Sequence, residues 1–159
     1  MTNFNQREFR NALGAYTTGI TVITTTSLKG HPVGITANSF TSVSLEPPLI
    51  SWCLDNNSES YADFTGSEYF TVHVLHSQQQ DVSTIFATPN EDKFGKVPWS
   101  EGEEGTPVLE EFLECFHCRI EKLYEGGDHM IILGRVVRLE TKLDKPPLLY
   151  HQGKYKVLS

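Results

Sequence analysis

The stretch "CFHCRIEKLYEGGDHMIILGRVVRLE", Cys115 to Glu140, constrains the fold more than any other. Its β-branched and aromatic residues read as two long strands, Glu114 to Tyr124 and Met130 to Glu140. "EGGD" joins them, and Gly126-Gly127 is strong turn chemistry. Shorter strands surround this hairpin. "GITVITTT" (Gly19 to Thr26) and Val33 to Ser39 predict a second hairpin around "SLKGHP". Leu49 to Leu54 follows a Pro-Pro break, and "YFTVHVLH" alternates as a strand does. Helices are predicted over Asn5 to Ala15, capped by Asn5 or Asn3, over Tyr61 to Gly66 and over Asp81 to Ala87. About six short strands and a few short helices suggest a barrel or sandwich in one domain, residues 1 to 159.

Charge narrows the partners. Formal net charge is −7, and no basic run is present to track a phosphate backbone, so nucleic acid is not expected. Apolar stretches are far shorter than a membrane span, and the polar start "MTNFNQREFR" has no signal-like core. A cytoplasmic protein is the expectation.

Three segments carry candidate chemistry. Thr36, Asn38, Ser39, Thr41, Ser42 and Ser44 place six small polar side chains in nine residues. Solvent-facing strand, phosphate or polyol cradle, and sugar-phosphate site all remain open there, because hydroxyls and free amides bind anions without dense positive charge. Cys115 and Cys118 have C-x-x-C spacing, but a strand sends residues three apart to opposite faces, and no second Cys pair completes a zinc site. No metal site is read. The long polar stretch from Thr88 to Pro107 is unusual in a small domain, with a brief helical turn expected at Asp92 to Phe94. His129 follows Asp128 in the turn and reads either as a polar junction residue or as a ligand contact. No G-x-G-x-x-G and no G-x-S-x-G occurs, so neither a Rossmann site nor a hydrolase elbow is supported.

The stretches "FRNALGAYTTGITVITT", "GITANSFTSVSLEPPLISWCLD", "YFTVHVL", "FA" followed by "KF", "CRIEKLYEGGDHMIILGRV" and "PPLLYHQGKY" occur in the order of a known family. The chain resembles the flavin reductase-like proteins, which include the small reductase components of two-component flavin-dependent monooxygenases. One departure is His73, where an Asn is common. The resemblance implies a mainly β fold with short helices, a Greek-key split β-barrel of the FMN-binding type. It implies flavin contacts at Thr36, Ala37, Asn38 and Ser39, then at Cys53, Leu54, Asn56, Asn57 and Ser58, with Phe86 beside the cofactor and Lys93 near its phosphate. His129 is implied in NAD(P)H binding and orientation, its imidazole donating to a carboxamide or phosphate oxygen. Tyr155 is a second candidate, for stacking near the nicotinamide or the flavin, and otherwise reads as a core aromatic.

The expected function is hydride transfer from NADH or NADPH to FMN or FAD, supplying reduced flavin to a partner monooxygenase, in a homodimer. The alternatives are a flavin-binding electron carrier or storage protein on the same fold, and a non-flavin binding module.

Overall fold

A computed structural model describes residues 1–89 and 92–159. Asn90 and Glu91, part of the long polar stretch, lie outside the described residues. The chain opens with α1 (Gln6–Gly14), then runs through β1 (Thr18–Gly19), β2 (Thr21–Thr26), β3 (Pro32–Ala37), β4 (Thr41–Ser44) and β5 (Leu49–Asp55). After α2 (Tyr61–Thr65) come β6 (Tyr69–Val74), α3 (Gln80–Ala87), β7 (Trp99–Glu101) and β8 (Pro107–Leu109). The long pair β9 (Glu114–Gly126) and β10 (His129–Thr141) precedes the closing hairpin β11 (Leu148–His151) and β12 (Lys154–Val157).

The two hairpins expected from sequence are present, β2 with β3 and β9 with β10. His129 pairs with Gly126, so the second is closed by a two-residue turn, and Gly127 takes the positive φ (67°) that such a turn requires. The expected helical turn at Asp92 to Phe94 is not formed; a turn spans 94–96 instead. Six strands were not foreseen as separate elements, β1 being split off the start of the predicted Gly19 to Thr26 strand. Among them β4, β7 and β8 are only three or four residues long, and β11 and β12 hide in a tail rich in Lys and Tyr. Short runs carry too little periodicity to register.

Seven strands form one antiparallel sheet in the order β3-β2-β6-β9-β10-β5-β4. Its two edges, β3 and β4, are consecutive in the chain and separated only by Asn38, Ser39 and Phe40. A flat sheet would hold these edges roughly 29 Å apart, six strand spacings. The connection reaches about 14 Å at full extension. The sheet must therefore curl until its edges nearly meet. The predicted strand Val33 to Ser39 breaks at Ala37 for this reason.

β2 is buried on both faces, and its alternate residues feed two cores. Ile23 points into a cluster with Trp52, Leu54, Phe64, Phe70 and Ile132. Val22 points into a second with Leu75, Phe86, Leu109 and Leu148. α1 has a reciprocal capping box: the Glu8 amide donates to Asn5 Oδ1 (2.9 Å) and the Asn5 amide donates to Glu8 Oε2 (2.8 Å). Its apolar residues Phe9 and Leu13 stay exposed, and no residue of this helix is buried.

His73 sits fully buried on β6. The Leu109 amide donates to its Nε2 (3.1 Å), so Nδ1 carries the proton and donates to the Val22 carbonyl (3.0 Å). Burial pushes its pKa down from 6.5 to about 4. The unfolded chain then takes up a proton near pH 6.5 that the folded one refuses, so this contribution is complete above that pH and is lost as pH falls towards 4. The loss over that window amounts to about 3 kcal/mol. Urea unfolding at pH 7 and pH 5 should show wild type losing more stability on acidification than His73→Asn, which keeps a donor and an acceptor without a titrating ring. Equal losses would show that His73 is not held neutral.

Candidate functional site

The edge strand β3 has two different faces. Val33, Ile35 and Ala37 pack on the Trp52 core, while Gly34 and Thr36 face α3. A Cβ on Gly34 would stand 2.6 Å from the Phe86 ring, so only glycine lets α3 approach this closely. Phe86 is fully buried and stacks edge-on against Phe94, with ring centroids 5.2 Å apart.

Beside this contact lies a groove of about 290 Å³. Ile35 and Phe86 supply apolar walls, Asn57 to Ser60 a polar loop, and Lys93 a cation. A neighbouring hollow of about 460 Å³ shares Glu59, Ser60 and Lys93 and extends to Asp63 and Asp92. Lys93 Nζ donates to the carbonyls of Gly34 (3.0 Å) and Phe86 (3.2 Å). It thus clamps the edge strand to the last turn of α3, where carbonyls favour a cation. Burial lowers its pKa, and the Glu59 carboxylate partly opposes that effect. An ammonium has three donors, so one remains beyond these two carbonyls.

The hydroxyl segment is partly structural. Thr36 Oγ1 donates to the Ser83 carbonyl on α3 (2.6 Å). The Ala37 carbonyl accepts from Thr21 Oγ1 (2.7 Å), and Asn38 is exposed. Ser39 Oγ accepts from the Cys53 amide (2.9 Å) and donates to the Cys53 carbonyl (3.3 Å). A single serine therefore stands where a strand partner would, at the seam between the curled edges.

The loop after β5 is bound to the β9–β10 turn. The Asn56 amide donates to the Asp128 carbonyl (3.0 Å), and Asn56 Nδ2 donates to the Gly127 carbonyl (3.3 Å). The Asn57 amide donates to Asp55 Oδ1 (2.8 Å), and the Ser60 amide to Ser58 Oγ (3.2 Å). His129 stands at that turn, 41% exposed, with Nδ1 2.7 Å from Asp128 Oδ1. The hydrogen bond from His129 holds the Asp128 carboxyl below its ordinary pKa, so Asp128 is the acceptor and Nδ1 the donor. Nδ1 is thus engaged, and Nε2 is the ring nitrogen available to a ligand.

Asn57, Ser58, Phe86 and Lys93 thus line one groove. Thr36 is joined to it through α3, and Asn56 and His129 through the turn. Leu54 does not belong there by its side chain, which is buried in the Trp52 core. Tyr155 lies against α3, its hydroxyl 2.7 Å from Ser83 Oγ. Sequence reasoning missed Ile35, Glu59 and Ser83, which have no motif of their own. A larger hollow of about 530 Å³ between Trp99 and Lys142 holds none of these residues.

The C-x-x-C pair behaves as a strand requires. Both sulfurs are buried, and burial raises both thiol pKa values, that of Cys118 to about 12, so neither is a reactive thiolate. Sequence reading missed what surrounds Cys115. Its strand neighbour His117 and cross-strand partner Glu140 bring three possible metal ligands within 4.8 Å of one another. Their geometry is that of an ion-pair network. His117 Nε2 is 2.6 Å from Glu140, its Nδ1 is 3.2 Å from Glu104, and Arg138 bonds both carboxylates. Arg138 thus gives Glu104 and Glu140 a charged partner, and His117 adds a hydrogen-bonding contact to each.

The chain matches the family model described as "Flavin reductase like domain" over residues 13–159. It is 45% identical over 138 residues to a "Probable flavin reductase" of Rhizobium meliloti, covering 87% of this chain but only 44% of that protein. It is 43% identical over 151 residues to "FMN reductase (NADH) SmoA" of Agrobacterium fabrum, covering 95% of this chain and 85% of that one. Among solved structures, the Streptomyces globisporus NADH:FAD oxidoreductase SgcE6, complexed with NAD and FAD fragments, superposes with a TM-score of 0.92 at 35% identity. That match covers 98% of this chain and 93% of the other.

Ser39→Ala should lower stability by about 1–3 kcal/mol, because the Cys53 amide is left without its partner at a half-buried seam. Urea denaturation checks this; an unchanged midpoint would mean that the curled edges hold without Ser39.

Proposed function

Because the chain belongs to the flavin reductase-like domain family, we propose that it is an NAD(P)H-dependent flavin reductase, a single domain over residues 1 to 159. The observation that carries this reading is the groove at Lys93. A flavin mononucleotide has a broad apolar ring, a polyhydroxylated chain and a phosphate. Ile35, the Asn57 to Ser60 loop and Lys93 offer the matching surfaces side by side, with the buried Phe86 packed behind them. The relatives' names support both donor and acceptor: FMN and NADH for the Agrobacterium protein, FAD and NAD for the Streptomyces one. The first listed relatives are longer than this chain, and the reading is confined to the domain they share.

Bound flavin supplies the hydride acceptor. The protein's part is to bind and orient. The third donor of Lys93 holds the phosphate; the compact ammonium suits it. Thr36 to Ser39 and the loop from Cys53 to Ser58 flank the polyol chain, with Leu54 contributing backbone alone. His129, its Nδ1 bound to Asp128, would orient the nicotinamide nucleotide through Nε2. The reduced flavin passes to a partner monooxygenase, as the relatives named reductase subunits of such enzymes suggest.

A homodimer fits the surface. Phe9 and Leu13 are exposed on α1, with Phe4 and Tyr16 exposed just beyond its ends, an apolar set that a second copy would cover. No helix among the described residues is long and apolar enough to cross a membrane, and we place the protein in the cytoplasm.

NADH and NADPH oxidation by the purified protein, with and without FMN or FAD, tests the function. Rapid oxidation that depends on flavin supports it; tight flavin binding without oxidation would point to an electron carrier. His129→Ala should raise KM for the nicotinamide donor while leaving flavin affinity nearly unchanged. Lys93→Ala should weaken FMN by about 10- to 100-fold, the worth of one charged hydrogen bond, and riboflavin much less. Equal weakening would place Lys93 away from the phosphate.

A further inference from the structure

Ser83 lies in the middle of α3 and is fully buried, though it carries a hydroxyl. Two of its atoms reach two different elements. Its carbonyl accepts from Thr36 Oγ1 on β3 at 2.6 Å. Its Oγ lies 2.7 Å from the Tyr155 hydroxyl on β12. Phe86, one helical turn further along α3, wedges against Gly34 and walls the groove. The same helix face thus sets the hydroxyl strand, the groove wall and the C-terminal hairpin relative to one another.

The placement of Tyr155 depends on this contact. β12 is an edge strand, hydrogen-bonded on one side to β11 in a three-stranded sheet apart from the main one. The ring leans edge-on against Tyr150, 5.5 Å between centroids, and packs partly buried on the second core, contacts that fix no direction for its hydroxyl. The bond to the buried Ser83 hydroxyl fixes that polar end of the ring.

We propose that Ser83 is a positioning residue of the reductase site, holding Tyr155 through its hydroxyl and Thr36 through its carbonyl. This rests on the flavin reductase reading. Because the two bonds use separate atoms, substitutions separate them. Ser83→Ala cuts only the Tyr155 bond. Thr36→Val cuts only the other.

The experiment measures NADH and NADPH oxidation together with FMN affinity by fluorescence quenching, for wild type, Ser83→Ala, Tyr155→Phe, their double variant, Ser83→Thr and Thr36→Val. Ser83→Ala and Tyr155→Phe should each raise KM for the donor about fivefold, the worth of one neutral hydrogen bond, with FMN affinity within about twofold of wild type. The double variant should be no worse than either single one, since both remove the same bond. Ser83→Thr, which keeps the hydroxyl, should restore KM, and Thr36→Val should weaken FMN. Tyr155→Phe leaves the helix intact, so the proposal stays testable if Ser83→Ala folds poorly. Additive effects, or FMN affinity falling in step with donor KM, would overturn the proposal. Wild-type protein that oxidises neither donor defeats the reductase reading instead and removes the nicotinamide half with it; flavin titration of Thr36→Val still decides the other half.

Discussion

Three residues between opposite edges of a seven-stranded sheet govern this structure. Asn38, Ser39 and Phe40 cannot bridge a flat sheet of that width. The sheet has to curl, and the curl brings the end of β3 to the middle of β5. No backbone ladder joins the edges there. Ser39 bonds both polar groups of Cys53 and takes the place of a strand. The bond carries the β4–β5 pairing one step beyond its ladder, while the β3 and β4 edges stay unpaired with each other, so the curled sheet remains split along that line.

The groove follows from close packing beside the split. Glycine at position 34 admits the Phe86 ring, which draws α3 down on the edge strand. Lys93 then spans both, bonded to one carbonyl of each. This half-buried cation is the basis of the proposed phosphate contact, since a lower local dielectric strengthens its attraction for an anion. The other strong charge cluster, around His117 and Arg138, is satisfied internally and leaves no such opening.

The site is held by two supports that do not touch. Asn56 ties the loop beyond β5 to the turn that carries His129. Ser83 ties β3 to the hairpin that carries Tyr155. The flavin side and the nicotinamide side of the proposed reaction thus share supporting elements on each flank, which suits a reaction that depends on stacking two rings at close range.

The long hairpin, the β2–β3 pair and the three helices were legible in the sequence, because β-branched runs, Gly turns and the Asn5 cap act locally. Local signals also showed that the C-x-x-C cysteines face apart. Four residues of the groove, Asn57, Ser58, Phe86 and Lys93, came from family resemblance, not from any pattern of their own; Lys93 alone reads as an ordinary loop lysine. What no local pattern contained was proximity across the fold. Ser39 meets Cys53 fourteen positions away, Thr36 meets Ser83 after forty-seven, and Ser83 meets Tyr155 after seventy-two. Leu54 and Cys53 are neighbours in sequence, yet the two-residue period of β5 sends Leu54 into the core and leaves Cys53 at the seam. The sequence by itself determined which segments become strands, since that depends on neighbouring residues. Tertiary structure decided which hydroxyls are bound internally and which walls meet, since that depends on how far a curled sheet must close.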